Sequence, residues 1–338
     1  MIDLLVAGAG PAGAATAIRA ALAGLSVVVV EPRSGPIDKA CGEGIAHSAV
    51  EYLTRLGVEL DGRPFHGIRY LDGTHQVDAR FTAGPGLGVR RTTLQAALSK
   101  RLSDLDIPVI STRVGPITQN STSVTAANHT ARYLAAADGL HSPIRRQLGL
   151  CGGSSGDVRR GLRQHFRVKP WTDLVEVYWS RLGEAYVTPV ADDLVGVAIL
   201  TSARGTFDSH LDAFPALKRR LRGAKPASAV MGAGPLRQRV RARTAGRILL
   251  VGDAAGYVDA LTGEGIAVAL RTSAELVDCV RADRPQDYEA AWRRVSWECR
   301  LLTASLLWAR NRPLLAPRIV PAATALPGVY RTIVNRLS

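Results

Sequence analysis

Residues 2–32 read IDLLVAGAGPAGAATAIRAALAGLSVVVVEP: an apolar run, three glycines spaced G-x-G-x-x-G (Gly8, Gly10, Gly13), an alanine-rich stretch, and a second apolar run that ends in Glu31. Short apolar runs bounded by turn residues suit buried parallel strands, and alanine between them favours a helix. Each glycine has its own use. Gly8 permits the tight turn, Gly10 lets a pyrophosphate approach the backbone, and Gly13 lets helix and strand pack closely, while the first helical turn points its N–H groups at the phosphates. Glu31, 18 residues past Gly13, stands where an acid binds ribose hydroxyls. The chain is expected to open with a Rossmann-like dinucleotide-binding unit.

The same fingerprint serves more than one dinucleotide, so later segments decide. Residues 131–150, ARYLAAADGLHSPIRRQLGL, read as a strand ending in Asp138 and Gly139, followed by Ser142 and Arg145 at a helix start. Residues 251–270, VGDAAGYVDALTGEGIAVAL, place Asp253 after an apolar run and four glycines before or at the start of another helix. Two shorter elements lie between the first pair: KACGEG at residues 39–44 and RTTLQAAL from Arg91.

In this order the elements resemble the glutathione-reductase-type flavoproteins with a p-hydroxybenzoate-hydroxylase-like fold, and within them the geranylgeranyl-reductase-like family. The likeness covers roughly residues 2–150 and 245–275. Aromatic hydroxylases of the same superfamily usually carry a histidine after GDAA and an asparagine soon after the last glycine; here Gly256 and Ile266 stand there. The resemblance implies that the late glycine stretch binds the ribityl and pyrophosphate end of the same FAD, with Asp253 accepting ribityl hydroxyls, and not a second nucleotide. It implies cofactor contacts from Gly8, Gly10, Pro11, Ala12 and Gly13 at the turn, and from Glu31, Pro32 and Arg33 after the second strand. Further contacts are expected from Lys39, Ala40, Cys41 and Arg91, from Asp138 and Gly139, and from Gly252, Asp253, Gly263, Gly265 and Ile266. NADPH or NADH is the expected electron donor, and no metal is expected.

From Gly161 to Leu200 four strand-like segments, GLRQHFRV, LVEVYWS, EAYVTPV and LVGVAIL, are joined by short turns and read as an antiparallel meander. In the resembling family this region is the substrate roof, and His165, Trp179 and Tyr186 are candidates to face substrate or to be ordinary strand residues. The expected fold class is α/β, a Rossmann-like FAD-binding domain with an antiparallel β-sheet substrate domain and a C-terminal helical tail. The boundaries expected are 1–60, 88–155 and 244–285 for a discontinuous FAD-binding domain, 61–87 and 156–243 for the substrate domain, and 286–338 for the tail.

A net charge of +14 invites a nucleic-acid reading, but only five of the 43 basic residues are lysine and no finger, helix-turn-helix or aromatic-interleaved basic cluster occurs. No nucleic-acid partner is expected. Residues 218–247 hold ten basic and no acidic residues, and Arg237, Arg239, Arg241 and Arg243 alternate as on one solvated strand face, or as a patch for an anionic reductant or lipid headgroup. The tail couples leucine, tryptophan and isoleucine with six arginines from Arg300 onward, and Pro313, Pro317, Pro321 and Pro327 cut it into short helices. Such pieces suit a surface lying at a membrane interface, a cover over the substrate domain, or a partner subunit. Without a spanning run or a leader-like start, and with four scattered cysteines and no C-x-x-C pair, a cytoplasmic, reduced protein with peripheral membrane contact is expected.

Catalytic candidates are Cys41, Glu43 and Tyr186. Cys41 shapes the pocket or donates a proton as a thiol of ordinary acidity near pKa ~8.5. Its neighbour Glu43 is the rival donor, or a solvated loop carboxylate. Three functions follow: an FAD-dependent reduction of C=C bonds in a lipophilic prenyl or polyketide-like substrate; alternatively, a monooxygenase hydroxylating a phenol or quinol; third, a non-catalytic FAD-binding module.

Overall fold

The computed structural model describes residues 1–153 and 158–337. Along the chain run β1 (Ile2–Ala7), α1 (Pro11–Leu22), β2 (Val27–Val30), β3 (Gly67–Leu71), β4 (Gln76–Arg80), α2 (Arg91–Asp104) and β5 (His129–Ala136). They are followed by β6 (Arg160–Arg167), β7 (Val175–Trp179), β8 (Gly183–Ala191), β9 (Leu194–Thr201), β10 (Ile248–Leu250), α3 (Gly265–Arg281), α4 (Tyr288–Arg310), α5 (Ile319–Ala325) and α6 (Pro327–Leu337), with shorter elements between.

The first sheet is the expected Rossmann-like one. β1 lies parallel between β2 and β5, and β10 adds in parallel on the far side of β5. All these strands are nearly continuous apolar runs because both faces of the sheet are covered. α1 begins with Pro11 at a position that needs no N–H donor and ends before Gly24, whose φ of +81° closes the helix. Its inner face is alanine and Ile18, side chains small enough to lie close on the strands.

The second sheet corrects the meander. The four strands form where expected, but β6 pairs along its whole length with β9 (Arg160 opposite Thr201, Arg167 opposite Leu194) instead of with β7. The order is β6, β9, β8, β7, β3, β4, with β7 parallel to β3 and the remaining neighbours antiparallel. Only β7, β8 and β9 form a meander; β6 returns to its far edge. Every residue of β9 is buried, since the Phe207–Leu211 and Pro215–Arg220 helices cover one face and the other looks inward. The expected boundary at residues 155–156 lies outside the described residues.

The tail is one long helix followed, beyond Pro313, by the expected short ones. α4 runs unbroken for 23 residues, and the breaks begin only at Pro313. A buried ion cluster fixes its end: Arg310 Nε donates to Glu184 Oε1 (2.7 Å), and Arg159 bridges Glu184 (2.6 Å) and Asp259 (2.9 Å). α6 lies on the edge strand β4, where Asn335 accepts from Thr82 N and donates to Arg80 O, and Tyr330 stacks on Tyr70. The tail therefore covers the sheet. The arginine row at 237–243 also differs from expectation. It is an extended loop with isolated bridges, not a strand; Arg237, Arg239 and Arg241 are exposed, but Arg243 is buried against Trp292 and donates to Glu289 and Ala255 O.

Candidate active site

Between the two sheets and the tail lies a cavity of about 890 Å³ that runs from Gly10 and Arg91 to Val329 and Ile333. At its Gly10 end the wall is backbone and charge. A Cβ built on Gly10 would meet only Arg91 Nη2, at 3.8 Å, whereas one on Gly13 would fall 1.8 Å from Gly8 O. Gly13 and Gly8 thus serve packing, and Gly10 leaves space. Arg91 is buried against its own charge, which pulls its pKa below the usual arginine range, and its Nη1 has no protein partner. A bare glycine, the uncapped N-terminus of α1 and an orphaned guanidinium make an anion cradle that fits a pyrophosphate.

Glu31, at the end of β2, is buried with its carboxylate accepting from Ala9 N (3.0 Å) and from the Arg33 guanidinium (2.8 Å). Burial pushes its pKa up, but these donors outweigh it and hold the group below the usual carboxylate range. Pro32 and the rest of Arg33 are at the surface. Across the cavity Lys39 Nζ donates to Asp253 Oδ2 at 2.7 Å. Arg145, which the sequence offers only as a helix-start residue, is the bracket behind them. Its guanidinium reaches Leu140 O, Ala254 O and Gln238 Oε1, joining the Asp138–Gly139 turn to the Gly252–Ala255 turn. Asp138 accepts from Ile144 N with one oxygen and leaves Oδ1 unpartnered; burial pushes its pKa above the usual carboxylate range. Pro11, Ala12, Ala40, Gly139, Gly252, Gly263, Gly265 and Ile266 border the same space.

Of the catalytic candidates, Cys41 lies on the cavity wall. Burial, which outweighs the nearby Arg91 cation, pushes the pKa of its thiol above the ordinary range, so it is a weaker acid than the thiol of ordinary acidity expected from the sequence. Glu43 is not a solvated loop carboxylate. It sits in the left-handed region (φ +60°), buried, with Oε1 accepting from Arg91 N (2.9 Å) and Oε2 paired to His165 Nε2 at 2.6 Å. His165, also bonded to Ser228 Oγ at 3.0 Å, lies behind the wall and not on it, as does Trp179, which packs on Tyr70. Arg163 reaches from this network to Asp38. Tyr186 does border the cavity; its hydroxyl donates to Leu261 O (2.6 Å) and pins the loop ahead of α3. Toward Val329 the wall is apolar: Ile68 and Val177 from the sheet, Leu302 and Leu306 from α4, Tyr330 and Ile333 from α6.

Residues 1–100 match the family model for the FAD-binding domain. Menaquinone reductase of Mycolicibacterium smegmatis is 31% identical over 323 residues, which cover 86% of this chain and 79% of that protein. The chain belongs to the geranylgeranyl-reductase-like family of FAD-dependent oxidoreductases. A second member, digeranylgeranylglycerophospholipid reductase 2 of Methanosphaera stadtmanae, is 28% identical over 305 residues, 80% of this chain and 75% of that one. Among solved structures, a flavoprotein/dehydrogenase from Cytophaga hutchinsonii shares the fold of this reductase-family chain over 99% of its length and 96% of the other's, with a TM-score of 0.80 at 17% identity. The chain is an enzyme with an FAD-binding domain, and none of its described helices is long and apolar enough to cross a membrane.

Proposed function

We propose that this enzyme saturates C=C bonds in the isoprenoid chain of a membrane lipid or quinone. The observation that carries the reading is the continuity of the cavity: one space joins the anion cradle at Gly10 and Arg91 to the apolar wall beneath α4 and α6. The printed names of the two relatives, a menaquinone reductase and a digeranylgeranylglycerophospholipid reductase, point the same way. In this reading Gly10, Pro11, Ala12 and Arg91 hold the FAD pyrophosphate, Glu31 the ribose, and Asp253 with Lys39 the ribityl chain. Bound FAD supplies the hydride. The chain's own part is to lay an apolar substrate along the inner sheet, exclude water, and bring a proton to the reacting carbons. Cys41 shapes the wall, Glu43 and His165 hold its loop against β6, and Tyr186 holds the 260–263 loop as positioning residues. Residues 1–60, 88–155 and 244–285 act as the cofactor unit, and the rest of the chain as its cover.

α4 is apolar on two faces. Leu302, Leu306 and Ala309 look into the cavity, while Trp297, Leu301 and Trp308 are exposed. Exposed Leu326, Val329 and Ile333 belong both to the surface and to the cavity rim. With the tail arginines around them, these residues form a lipid-facing mouth through which a prenyl chain enters. NADPH or NADH is the reductant in this reading, and the exposed Arg237, Arg239 and Arg241, next to the wall residue Leu236, offer contacts to its phosphates.

Two measurements test this. Anaerobic, dithionite-reduced, FAD-loaded protein mixed with a menaquinone should yield, once the quinone ring is reoxidised in air, a product two hydrogens heavier in its prenyl chain per turnover; reduction of the ring alone, or oxygen insertion in air with no saturation, would overturn the reading. Sedimentation with vesicles should favour anionic over neutral lipid and weaken at high salt. Equal sedimentation with both would remove the lipid-facing mouth.

A further inference from the structure

Resting on the prenyl-reduction reading, we propose that Glu264, at the cavity wall between α3 and α4, is the acid that delivers the proton completing C=C saturation. Saturation adds one hydride and one proton, and the apolar half of the cavity offers few sources for the proton. Tyr186 already donates to Leu261 O, Glu43 has both oxygens engaged, and burial pushes the Cys41 thiol upward. Asp253 and Asp138 belong to the cofactor end, the former paired with Lys39.

Glu264 differs from all of them. It borders the cavity at the residue before α3, is 5% exposed, and neither carboxyl oxygen makes a well-formed hydrogen bond, the Cys299 thiol and the Arg271 guanidinium only standing near it. The nearest cation is Arg271 Nη2 at 3.6 Å, half in solvent. The other charged or titratable groups facing it are Cys299 and Glu298 of α4. Burial, only partly offset by Cys299 and Arg271, pushes the carboxyl up to about 7, while burial and Glu264 itself push Cys299 up to about 12. Glu264 is therefore loaded near neutral pH and still able to give its proton up, the condition for an effective general acid. A buried carboxyl without a well-formed hydrogen bond has no structural use that a neutral amide would not serve as well.

The step balances. One alkene carbon takes a hydride, with its electron pair, from reduced FAD, and its neighbour takes the proton from Glu264. The π bond is replaced by two C–H bonds, FAD is left oxidised, and the Glu264 carboxylate is reprotonated by solvent from the Arg271 side.

Glu264→Gln keeps the shape and removes the acid, and Glu264→Asp keeps the acid on a shorter arm. In the substrate-free holoenzyme, infrared difference spectra should show a protonated carboxyl that titrates near neutral pH and vanishes in Glu264→Gln, with FAD content unchanged. In anaerobic single turnovers with menaquinone as probe, Glu264→Gln should slow saturation at least tenfold and lose the solvent deuterium isotope effect, and Glu264→Asp should recover part of the rate. A Glu264→Gln variant that saturates the probe at the wild-type rate, or a wild-type spectrum without that carboxyl band, overturns the role of Glu264 alone. A wild-type protein that saturates no bond overturns the prenyl-reduction reading and the role together.

Discussion

At the Gly10 end the cavity wall is glycine backbone, a helix N-terminus and fixed charges supplied by short stretches of chain; at the Val329 end it is apolar side chains from β3, β7, α4, α5 and α6, drawn from stretches spread between residues 68 and 333. The first kind of wall recognises a polar, rigid group by hydrogen bonds whose geometry one turn of backbone can set. The second recognises a greasy chain by exclusion of water, which needs area and closure rather than direction. A flavoenzyme of this build can keep its cofactor end while the opposite wall is exchanged, and specificity then lies in the tail and the sheet.

The largest effects should separate packing from binding within the glycine turn. Gly13→Ala, whose Cβ would fall 1.8 Å from Gly8 O, should lose the fold, at a cost above about 4 kcal/mol. Gly10→Ala meets only the Arg91 side chain and should melt like wild type while its Kd for FAD rises about a hundredfold, ~2.7 kcal/mol. Should both variants unfold alike, the turn is a packing device throughout.

Next comes the buried carboxyl of Glu264 on the cavity wall. Glu264 stands at about 7 in the fold against 4.5 unfolded. Below the unfolded value it is neutral in both states and its burial is free of charge penalty. As pH rises through the folded value that advantage is lost, and the wild type carries a destabilising charge. Relative to wild type, Glu264→Gln should therefore gain on the order of 3 kcal/mol between pH ~4.5 and pH ~7, then level off. Urea unfolding at a series of pH values reads this; parallel curves for the two proteins would mean the carboxyl is solvated.

A charge at the rim tests the far wall by itself. Ile333→Asp should raise KM for a prenyl substrate about tenfold, ~1.4 kcal/mol, with FAD affinity and kcat unchanged. If FAD affinity falls with it, the two ends are coupled and the comparison fails. The smallest effect is expected at Cys41. With Glu264 as the acid, Cys41→Ser should hold FAD and change turnover less than about threefold, ~0.7 kcal/mol; a drop beyond tenfold would return the proton to the thiol.

The cofactor end was readable because its parts are local. β1, the turn, α1, β2 and Glu31 are consecutive, so residue spacing fixes their geometry, and the strand at residues 248–250 with its GDAA turn is equally self-contained. Strand positions in the middle of the chain were legible to within about one residue from their apolar periodicity. Their pairing was not, because which strand lies beside β6 depends on where residues 168–174 lead and on β3 docking parallel to β7.

Burial of polar groups was hidden for the same reason. The arginines at 237–243 look alike in the chain, yet Trp292 and Glu289, some fifty residues on, bury only Arg243. Glu264 was visible in TGEGI only through its glycine neighbours; that it is buried without a well-formed hydrogen bond follows from α4 closing over it. By itself the sequence determined the nucleotide fold and the sites that backbone builds, since hydrogen-bond geometry over one turn is covalently set. Tertiary structure decided the strand order, the cavity, its apolar rim and the burial of Glu264, since desolvation is produced by whatever distant chain packs against a group.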